Sequence, residues 1–279
     1  MGLGTEISWC DATWNPWRGC KKISAGCANC YIDRVSERWG WDPERVVRSK
    51  STFLDPLKWI RQGKLPAGAN VFTCSLSYFF IPEADAWRDE AWDVIRCAGQ
   101  LRFLILTKRP ELAAKRLPAD WGEGYRNVIL GVTVEKEDYL SRIAAILDVP
   151  AEGYFISAEP LLGPINIEML LLERGARTYA RGGVVGVVAG GETGESARPT
   201  HPAWVREIRD ACDVADVPFT FKQWGEWAPC NGFAGLRKPG AVVSLDGQHE
   251  GMMTRTGRRR AGGLLDGRTH KEREKKETK

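Results

Sequence analysis

The feature that most constrains the fold is a repeated alternation of short apolar segments with amphipathic ones. The apolar segments are rich in β-branched and aromatic residues, as strands of a parallel sheet covered on both faces tend to be. They predict strands at 70–77, 101–110, 127–135, 153–161, 183–194 and 217–225. A short stretch at 7–9 is predicted to add a first strand to the series.

Helical patterns lie between these predicted strands. Two of them repeat apolar residues at helical spacing. The apolar faces consist of Trp87, Ala91, Trp92 and Ile95 in segment 83–99, and of Leu140, Ile143, Ala144 and Leu147 in segment 138–149. Segment 201–215 repeats the pattern, with Pro202 near the helix start. Because strand and helix alternate about every 25 to 35 residues, the sequence predicts the α/β class with a partial or full (βα) barrel.

The chain of 279 residues fits one barrel domain, predicted over 1–250, followed by a basic C-terminal segment at 251–279. That segment holds ten Lys and Arg against four Asp and Glu. Its composition leaves two interpretations open, namely binding to nucleic-acid phosphates and a solvated, frayed end. No signal peptide or long apolar span is evident, so a cytoplasmic protein without a membrane partner is expected.

Polar residues stand at the carboxyl end of every predicted strand. They are Cys74, Ser75 and Ser77; Thr107, Lys108 and Arg109; Thr133 and Glu135; Ser157 and Glu159; Glu192 and Thr193; and Lys222 and Gln223. In a βα barrel these ends meet at one rim, where the active site is built. Buried ion pairs between strand ends use the same residue types, so a structural role is the alternative.

Three of the eight cysteines, Cys20, Cys27 and Cys30, have the spacing C-x6-C-x2-C in a loop predicted over 10–31. A C-x2-C step lets two thiolates reach one metal centre. One interpretation is a closed zinc site with Cys10 as the fourth ligand, another is an iron–sulfur cluster with one iron open, and a third is simple thiols. Cys97 and Cys212 fall in helical patterns and are predicted to be core residues, whereas Cys230 falls in a loop.

A series of motifs then carries a resemblance to a known family. They are "WNPWRGCKKISAGCANCY", "FTCSLS", "LTKRP", "GVTVE", "SAEPLLGPI", "AGGETG", "ARPTHPAW", "FKQWGEW" and "RRRAGGLLDG". In this order they resemble the three-cysteine-motif radical S-adenosylmethionine (SAM) family, which is widespread in phage genomes and long without an assigned function. The resemblance extends over almost the whole chain, through Arg268.

This resemblance implies a barrel of the radical SAM type with two cofactors, a 4Fe–4S cluster and SAM. Cys20, Cys27 and Cys30 would hold the cluster, and an external electron donor such as a flavodoxin or ferredoxin would reduce it. Tyr31 corresponds to the aromatic residue near the last cysteine pair. Gly190, Gly191 and Glu192 resemble the segment that meets the SAM ammonium, with Ser75 and Ser77 as rival SAM-binding candidates. Lys108, Glu159 and Lys222 are the predicted catalytic residues.

The phage context implied by the resemblance suggests DNA carrying a modified thymine as the substrate. The expected reaction is isomerisation of an N-linked glycyl-thymine to a C-linked form, with Trp14, Trp17, Tyr78 and Phe79 as candidates for holding an extruded base. One alternative is a radical SAM lyase-like DNA repair enzyme. Another is a non-enzymatic nucleic-acid-binding protein with a structural zinc ion.

Overall fold

The computed structural model of the chain describes residues 2–5, 7–174, 181–230, 242–245 and 251–271. Within these residues the strands are β1 (Ala12–Trp14), β2 (Trp17–Arg18), β3 (Val47–Arg48), β4 (Asn70–Thr73), β5 (Arg102–Thr107), β6 (Val128–Thr133), β7 (Gly153–Ala158), β8 (Gly183–Ala189), β9 (Phe219–Phe221), β10 (Trp227–Pro229), β11 (Val242–Ser244), β12 (Met252–Arg255), β13 (Leu264–Leu265) and β14 (Arg268–Thr269). The α-helices are α1 (Tyr31–Trp39), α2 (Asp55–Arg61), α3 (Asp85–Cys97), α4 (Ser141–Leu147), α5 (Glu168–Arg174), α6 (Pro202–Ala215) and α7 (Arg258–Ala261).

Seven strands form one parallel sheet in the order β1-β4-β5-β6-β7-β8-β9. Neighbouring strands of the sheet thus follow one another along the chain, which is the strand order of a βα barrel. In the part of the chain that the structure describes, β1 and β9 are the two edges and do not pair with each other. The predicted α/β class with a partial barrel is confirmed, and each of β4 to β9 falls within one of the six main predicted strands.

Both edges of the sheet are partly covered by short antiparallel contacts. Leu3 forms a bridge with Ala12 on β1, and Lys271 forms one with Thr220 on β9. An uncovered strand edge offers unpaired backbone groups to other chains. Each bridge therefore occupies part of one open edge of the sheet.

The predicted strand at 7–9 is wrong, because these residues form a turn and the first strand of the sheet is β1. The Trp9 ring lies 4.6 Å from the Phe72 ring and 5.8 Å from the Phe155 ring, measured between centroids. Its apolar character therefore reflects packing against the inner face of the sheet rather than strand pairing.

Alternate side chains of the parallel strands lie on opposite faces of the sheet. Phe103 and Ile105 belong to the main core, whereas Leu104, Ile129 and Phe155 form a separate small cluster. A Cβ atom added to Gly131 would overlap the Phe155 ring, so glycine leaves the space that this ring fills. The inner face is therefore filled by aromatic and aliphatic side chains below the rim.

Two details of the predicted helices are corrected. On α4 the buried side chains are Ile143 and Ile146, whereas Ala144 is exposed. On α3 Ala91, Trp92 and Ile95 are buried as predicted, but Cys97 at the helix end is exposed. Cys97 lies two residues beyond Ile95, which at about 3.6 residues per turn puts it on the other side of the helix. Cys212 is buried, as predicted.

The predicted boundary at residue 250 does not separate the domain from its C-terminal segment. β12 pairs with both β10 and β11, so residues on the two sides of that boundary share a sheet. The Trp224 backbone donates a hydrogen bond to the Gly262 carbonyl oxygen, 3.0 Å away. Asp266 accepts hydrogen bonds from Arg206 and Arg209 on α6. Residues 251–271 are thus packed on the barrel, and the remaining part of the predicted basic segment, 272–279, lies outside the described residues.

Candidate cofactor-binding cavity

A cavity of about 770 Å³ opens at the carboxyl ends of the parallel strands. Its lining contains the three clustered cysteines and all but one of the other predicted site residues. These are Cys20, Cys27, Cys30, Tyr31, Ser75, Ser77, Lys108, Gly191, Glu192, Glu159 and Lys222. Gly190 packs beside the lining, since a Cβ atom there would lie 3.2 Å from Glu159. Residues from six separate segments of the sequence are therefore brought to one rim.

The three cysteines lie in the loop that leads from β2 into α1. A 3-10 turn at Ala25–Cys27 carries the second thiol, and Cys30 caps the start of α1. Burial and then the charges of Cys30 and Cys27 raise the pKa of the Cys20 thiol to about 12. The charges of the three thiols thus act on one another, and the nearby Lys108 ammonium favours the ionised forms of Cys20 and Cys30.

Three soft thiol donors on one loop, opening into a cavity, fit an iron–sulfur cluster by their chemistry. All eight cysteines are free thiols. Among the described residues, no group of three or more His, Cys, Asp or Glu side chains is arranged to hold a single metal ion.

Glu135 fixes one side of this cysteine loop. It lies just beyond β6, is fully buried, and accepts a 2.6 Å hydrogen bond from the Ser24 hydroxyl. A Cβ atom on Gly26 would lie 2.5 Å from its Oε1 atom, so the loop must carry glycine there. Lys108 and Arg142 each approach this carboxylate to 2.6 Å. Although burial opposes ionisation, these contacts hold the pKa of Glu135 below its usual value.

Glu192 fixes the opposite side of the loop, from beyond β8. Its carboxylate accepts hydrogen bonds from the Asn29 side chain at 3.0 Å and from the Arg198 guanidinium at 2.6 Å. Arg198 also donates to the Ala25 carbonyl oxygen at 2.8 Å. Burial opposes the ionisation of Glu192, but the hydrogen bonds from Arg198 and Asn29 lower its pKa. The predicted ammonium-binding carboxylate is thus already engaged in holding the loop, and a SAM ammonium would share it.

The other predicted catalytic residues meet across the rim. Lys222 follows β9 and Glu159 follows β7, and their Nζ and Oε1 atoms lie 2.6 Å apart. Gly190 gives Glu159 the room to lie there, while Gly191 allows the Trp224 backbone to approach closely. Sequence reasoning named strand-end ion pairs as the alternative to a catalytic role, and both pairs, Lys108–Glu135 and Lys222–Glu159, are formed.

The rival SAM-binding candidates also hold the site together. The Tyr31 hydroxyl donates to the Ser75 carbonyl oxygen, and burial raises the pKa of Tyr31. The Ser75 hydroxyl contacts the Asn15 side chain at 3.0 Å. The Ser77 hydroxyl donates to the Gly19 carbonyl oxygen at 2.6 Å, next to the first cysteine. These serines therefore anchor the cysteine loop to the end of β4.

Cys74, rather than the predicted zinc ligand Cys10, joins the three cysteines around the cavity. Cys74 is buried, and its pKa is raised by burial and by the Cys20 charge. Cys10 is also buried and donates to the Ile7 carbonyl oxygen through its thiol. A fourth thiol close to the three is therefore present, but it directly follows β4 and does not come from the start of the chain.

The aromatic residues predicted to hold an extruded base lie in the core. Trp14, Trp17, Tyr78 and Phe79 are each at most 5% exposed, and the two tryptophans donate their indole N–H groups to backbone carbonyls. Their polar neighbours in the sequence suggested loops, but all four belong to the main core, and of the four Tyr78 also lines the cavity. An exposed tryptophan does lie at the cavity mouth, namely Trp39 at the end of α1.

Sequence reasoning missed the groups that hold the loop from a distance in sequence. Asn29 and Arg198 lie within the quoted motifs and Arg142 lies outside them, but none of the three was given a role, and only their partners Glu135 and Glu192 were recognised as strand-end residues. The Tyr139 hydroxyl accepts a hydrogen bond from the Ala25 backbone at 3.1 Å, and no pattern in the sequence indicates this contact. The regular spacing of Arg34 and Arg38 from Tyr31 was the available signal that one face of α1 lines the cavity.

A family model described as "Protein of unknown function (DUF5131)" matches residues 4–274. No curated protein matches the sequence. Among solved structures, the chain is similar to a spore photoproduct lyase double mutant with bound AdoMet and dinucleoside spore photoproduct. The identity is 9% and the TM-score 0.43, and the match covers 91% of this chain and 72% of that chain. It is also similar to a spore photoproduct lyase complexed with dinucleoside spore photoproduct, at 10% identity and a TM-score of 0.37 with the same coverage.

Within the described residues, none of the helices is both long and apolar enough to cross a bilayer.

Proposed function

The chain belongs to the DUF5131 family, whose function is unknown, and we propose from its cavity that the protein is a radical SAM enzyme acting on DNA. In this proposal Cys20, Cys27 and Cys30 hold a 4Fe–4S cluster, and SAM occupies the cavity beside them. The substrate is a modified thymine base in phage DNA, and the reaction isomerises an N-linked glycyl-thymine to a C-linked form.

The observation that carries the proposal is the shared cavity. Three thiols of one loop line the same 770 Å³ space as the predicted SAM-binding and catalytic residues. Cofactor pockets of about 300 to 1,000 Å³ are typical. The space is therefore adequate for a nucleotide-sized cofactor and part of a second ligand, and it is lined by groups of suitable chemistry for both.

When bound, a 4Fe–4S cluster and SAM supply a 5′-deoxyadenosyl radical that removes a hydrogen atom from the substrate. The chain itself positions the ligands. Lys108 places a positive charge beside the thiols, and Lys222 with Glu159 presents one donor and one acceptor at the rim. The inner-face side chains around Phe155 close the floor of the cavity and exclude water from below.

The isomerisation is chemically balanced without a further reagent at the substrate. One C–N bond breaks, one C–C bond forms, and a hydrogen atom lost from the α-carbon is matched by one gained at nitrogen. Removal of the hydrogen atom from the glycyl α-carbon is favoured because the amine and the carboxylate both stabilise the resulting carbon radical. The product nucleoside has the same mass as the starting one and a different chromatographic retention.

The proposal is tested in two stages with anaerobically reconstituted protein. First, iron and sulfide content and the formation of 5′-deoxyadenosine from SAM are measured with a reduced flavodoxin or ferredoxin. Replacing Cys20, Cys27 or Cys30 by alanine is expected to abolish both, whereas Cys10→Ala and the exposed control Cys97→Ala retain them. Retention of cluster and SAM cleavage in any of the three variants would refute the ligand assignment.

Second, the protein is incubated with DNA containing N-linked glycyl-thymine and the products are digested to nucleosides. A mass-neutral product with altered retention is expected. If repair of irradiated ordinary DNA appears instead, the enzyme is the lyase-like alternative. If the protein binds zinc and no SAM is cleaved, it is the non-enzymatic alternative, and Cys74→Ala would then release the metal because Cys74 would be the fourth thiolate.

A further inference from the structure

One face of α1 forms a wall of the cavity and continues out to its mouth. The helix contributes Tyr31, Ile32, Arg34, Val35, Arg38 and Trp39 to the lining. Residues three and four positions apart share a helix face, which accounts for this set. The face begins beside Cys30 and ends in solvent, because Trp39 at the end of α1 is 72% exposed. We call Arg34, Arg38 and Trp39 the α1 wall.

Trp39 differs from the tryptophans of the core. Trp14, Trp17, Trp92, Trp121 and Trp224 are each at most 5% exposed, whereas most of the Trp39 ring faces solvent. Within the described residues, the Arg38 guanidinium lies over the Trp39 ring, 5.9 Å from its centroid. Ile23, also exposed, lines the same cavity. A large aromatic face is thus available beside the opening.

The cavity carries an excess of positive charge. Its lining includes the cations Lys21, Arg34, Arg38, Lys108, Lys222 and Arg258 and the carboxylates Glu159 and Glu192. Both carboxylates are already paired, with Lys222 and Arg198 respectively, and Lys108 is paired with Glu135 outside the lining, so the excess comes from the other cations. Such a lining attracts a ligand with several negative charges.

The two arginines of the α1 wall are available to such a ligand. Among the described residues, neither forms an ion pair with a carboxylate, and Arg38 lies against the Trp39 ring. Arg34 donates to the Thr193 hydroxyl at 3.1 Å and lies against Gly194, where a Cβ atom would overlap it. This contact fixes the wall to the loop after β8 without neutralising its charge.

We propose that the α1 wall binds the DNA strand next to the target base, with Arg34 and Arg38 on backbone phosphates and Trp39 stacked on a neighbouring base. This inference rests on the proposed function, because it takes DNA as the substrate. Arg34 and Arg38 are separated by about 6 Å along the helix axis, so they contact different points of one backbone. Aromatic stacking accepts any base, so the wall needs no particular sequence.

A nucleic-acid strand fits this surface better than an acidic electron-transfer protein. The wall is the side of a cavity, and its occupant must reach inward, as an extruded base with its flanking backbone does. A specific protein partner instead needs about 800 Å² of surface on each side. Arg34, Arg38 and the other cations of the lining also face the space that would receive the base.

The test measures binding of a short fluorescein-labelled thymine-containing DNA strand to the full-length, cluster-reconstituted protein by fluorescence anisotropy at several salt concentrations. Trp39→Ala is expected to weaken binding by about 5- to 150-fold, the loss of one base–aromatic stack. Trp39→Phe is expected to retain most of the affinity. Arg38→Ala is expected to reduce the slope of log affinity against log salt by about 0.7, the value for one single-strand phosphate contact.

Arg61→Ala on α2 and Met169→Ala on α5 are the matched controls. Both side chains are exposed and outside the cavity lining, so their affinity and salt slope are expected to equal those of the unmodified protein. Because Trp39 is exposed, its replacement leaves the core intact, which circular dichroism of each variant verifies.

The outcomes separate this inference from the proposed function. If Trp39→Ala and Arg38→Ala bind DNA as tightly as Arg61→Ala does, while the protein still converts its DNA substrate, then DNA binding by the α1 wall is refuted and the proposed function stands. If the two variants instead weaken binding of an acidic flavodoxin, the wall is a donor-docking surface and the inference is wrong. If the unmodified protein cleaves SAM but neither binds nor converts DNA, the substrate in the proposed function fails as well.

Discussion

Replacing Glu135 by glutamine removes one negative charge from the contact that holds the cysteine loop to the end of β6. The carboxylate has no exposed surface, and three groups approach it to 2.6 Å: the Ser24 hydroxyl, the Lys108 ammonium and the Arg142 guanidinium. Glutamine has nearly the same shape, but its amide N–H group would face one of these donors. Two cations would then lack their counter-charge.

The magnitude follows from the exposure of the two cations. Breaking a buried ion pair typically costs about 3 to 5 kcal/mol because a charge is left uncompensated. The side chains of Lys108 and Arg142 are 23% and 11% exposed, so both regain some contact with water. We therefore expect Glu135→Gln to lower the free energy of unfolding by about 3 kcal/mol, at the lower end of that range.

The pH dependence gives a second check. The pKa of Glu135 is below its usual value in the folded protein, so its stabilising effect is fully present above the ordinary carboxyl pKa of about 4.3 and is lost only as the pH falls through the lower folded-state value. The difference between the unmodified protein and Glu135→Gln is therefore expected to stay constant from about pH 8 to pH 5.

Chemical denaturation followed by circular dichroism measures the change, and the iron content of reconstituted protein shows whether the loop still holds a cluster. Glu137→Gln is the matched control, because Glu137 is exposed two residues further on and a change within about 0.5 kcal/mol is expected. A loss below about 1 kcal/mol for Glu135→Gln, or one equal to that of the control, would refute the reasoning.

Three further predictions use other parts of the molecule. Gly131→Ala is expected to lower the free energy of unfolding by about 1 to 3 kcal/mol, because its methyl group overlaps the Phe155 ring, while Gly99→Ala, whose nearest neighbour is 3.6 Å away, serves as the control in the same denaturation assay. Hydrogen bonds from Arg206 and Arg209 lower the pKa of Asp266 to about 2, so Asp266→Asn is expected to destabilise the protein at neutral pH. The difference in free energy of unfolding between the unmodified protein and this variant should shrink as the pH falls from about 4 towards 2. A difference that does not change with pH would contradict this. Lys222→Met is expected to abolish conversion of the DNA substrate with iron content retained, and normal turnover in this variant would remove Lys222 from the catalytic residues.

The sheet was predictable from the sequence because each of β4 to β9 is a near-continuous apolar run with a polar end. The first strand was not, since Trp9 looks like a strand residue but owes its burial to Phe72 and Phe155, which come from distant segments. The C-terminal segment misled for a similar reason. Its arginines dominate the composition, while its docking depends on a few contacts such as that of Asp266 with α6.

The site was predictable to the extent that strand ends meet at one rim. The sequence could not reveal which partner each charged residue takes. The role of Glu192 in holding the cysteine loop depends on its contacts with Asn29 and Arg198, and Asn29 is distant from Glu192 in the sequence. The exposed Trp39 was equally hidden. The spacing of Arg34 and Arg38 from Tyr31 indicates that they share a helix face, but it does not show that Trp39 lies at the edge of the cavity.

The cysteine loop has a mechanical consequence for the open barrel. It starts near β1 and is fastened to residues beyond β6 and β8, so it spans the gap that backbone pairing leaves between the two sides of the rim. The loop therefore ties the β1 side of the rim to the ends of β6 and β8. Because Cys30 directly precedes α1, a ligand that shifts the three thiols would also shift the helix that carries Trp39. Binding at the cysteine loop would thereby change the width of the cavity opening for the second ligand.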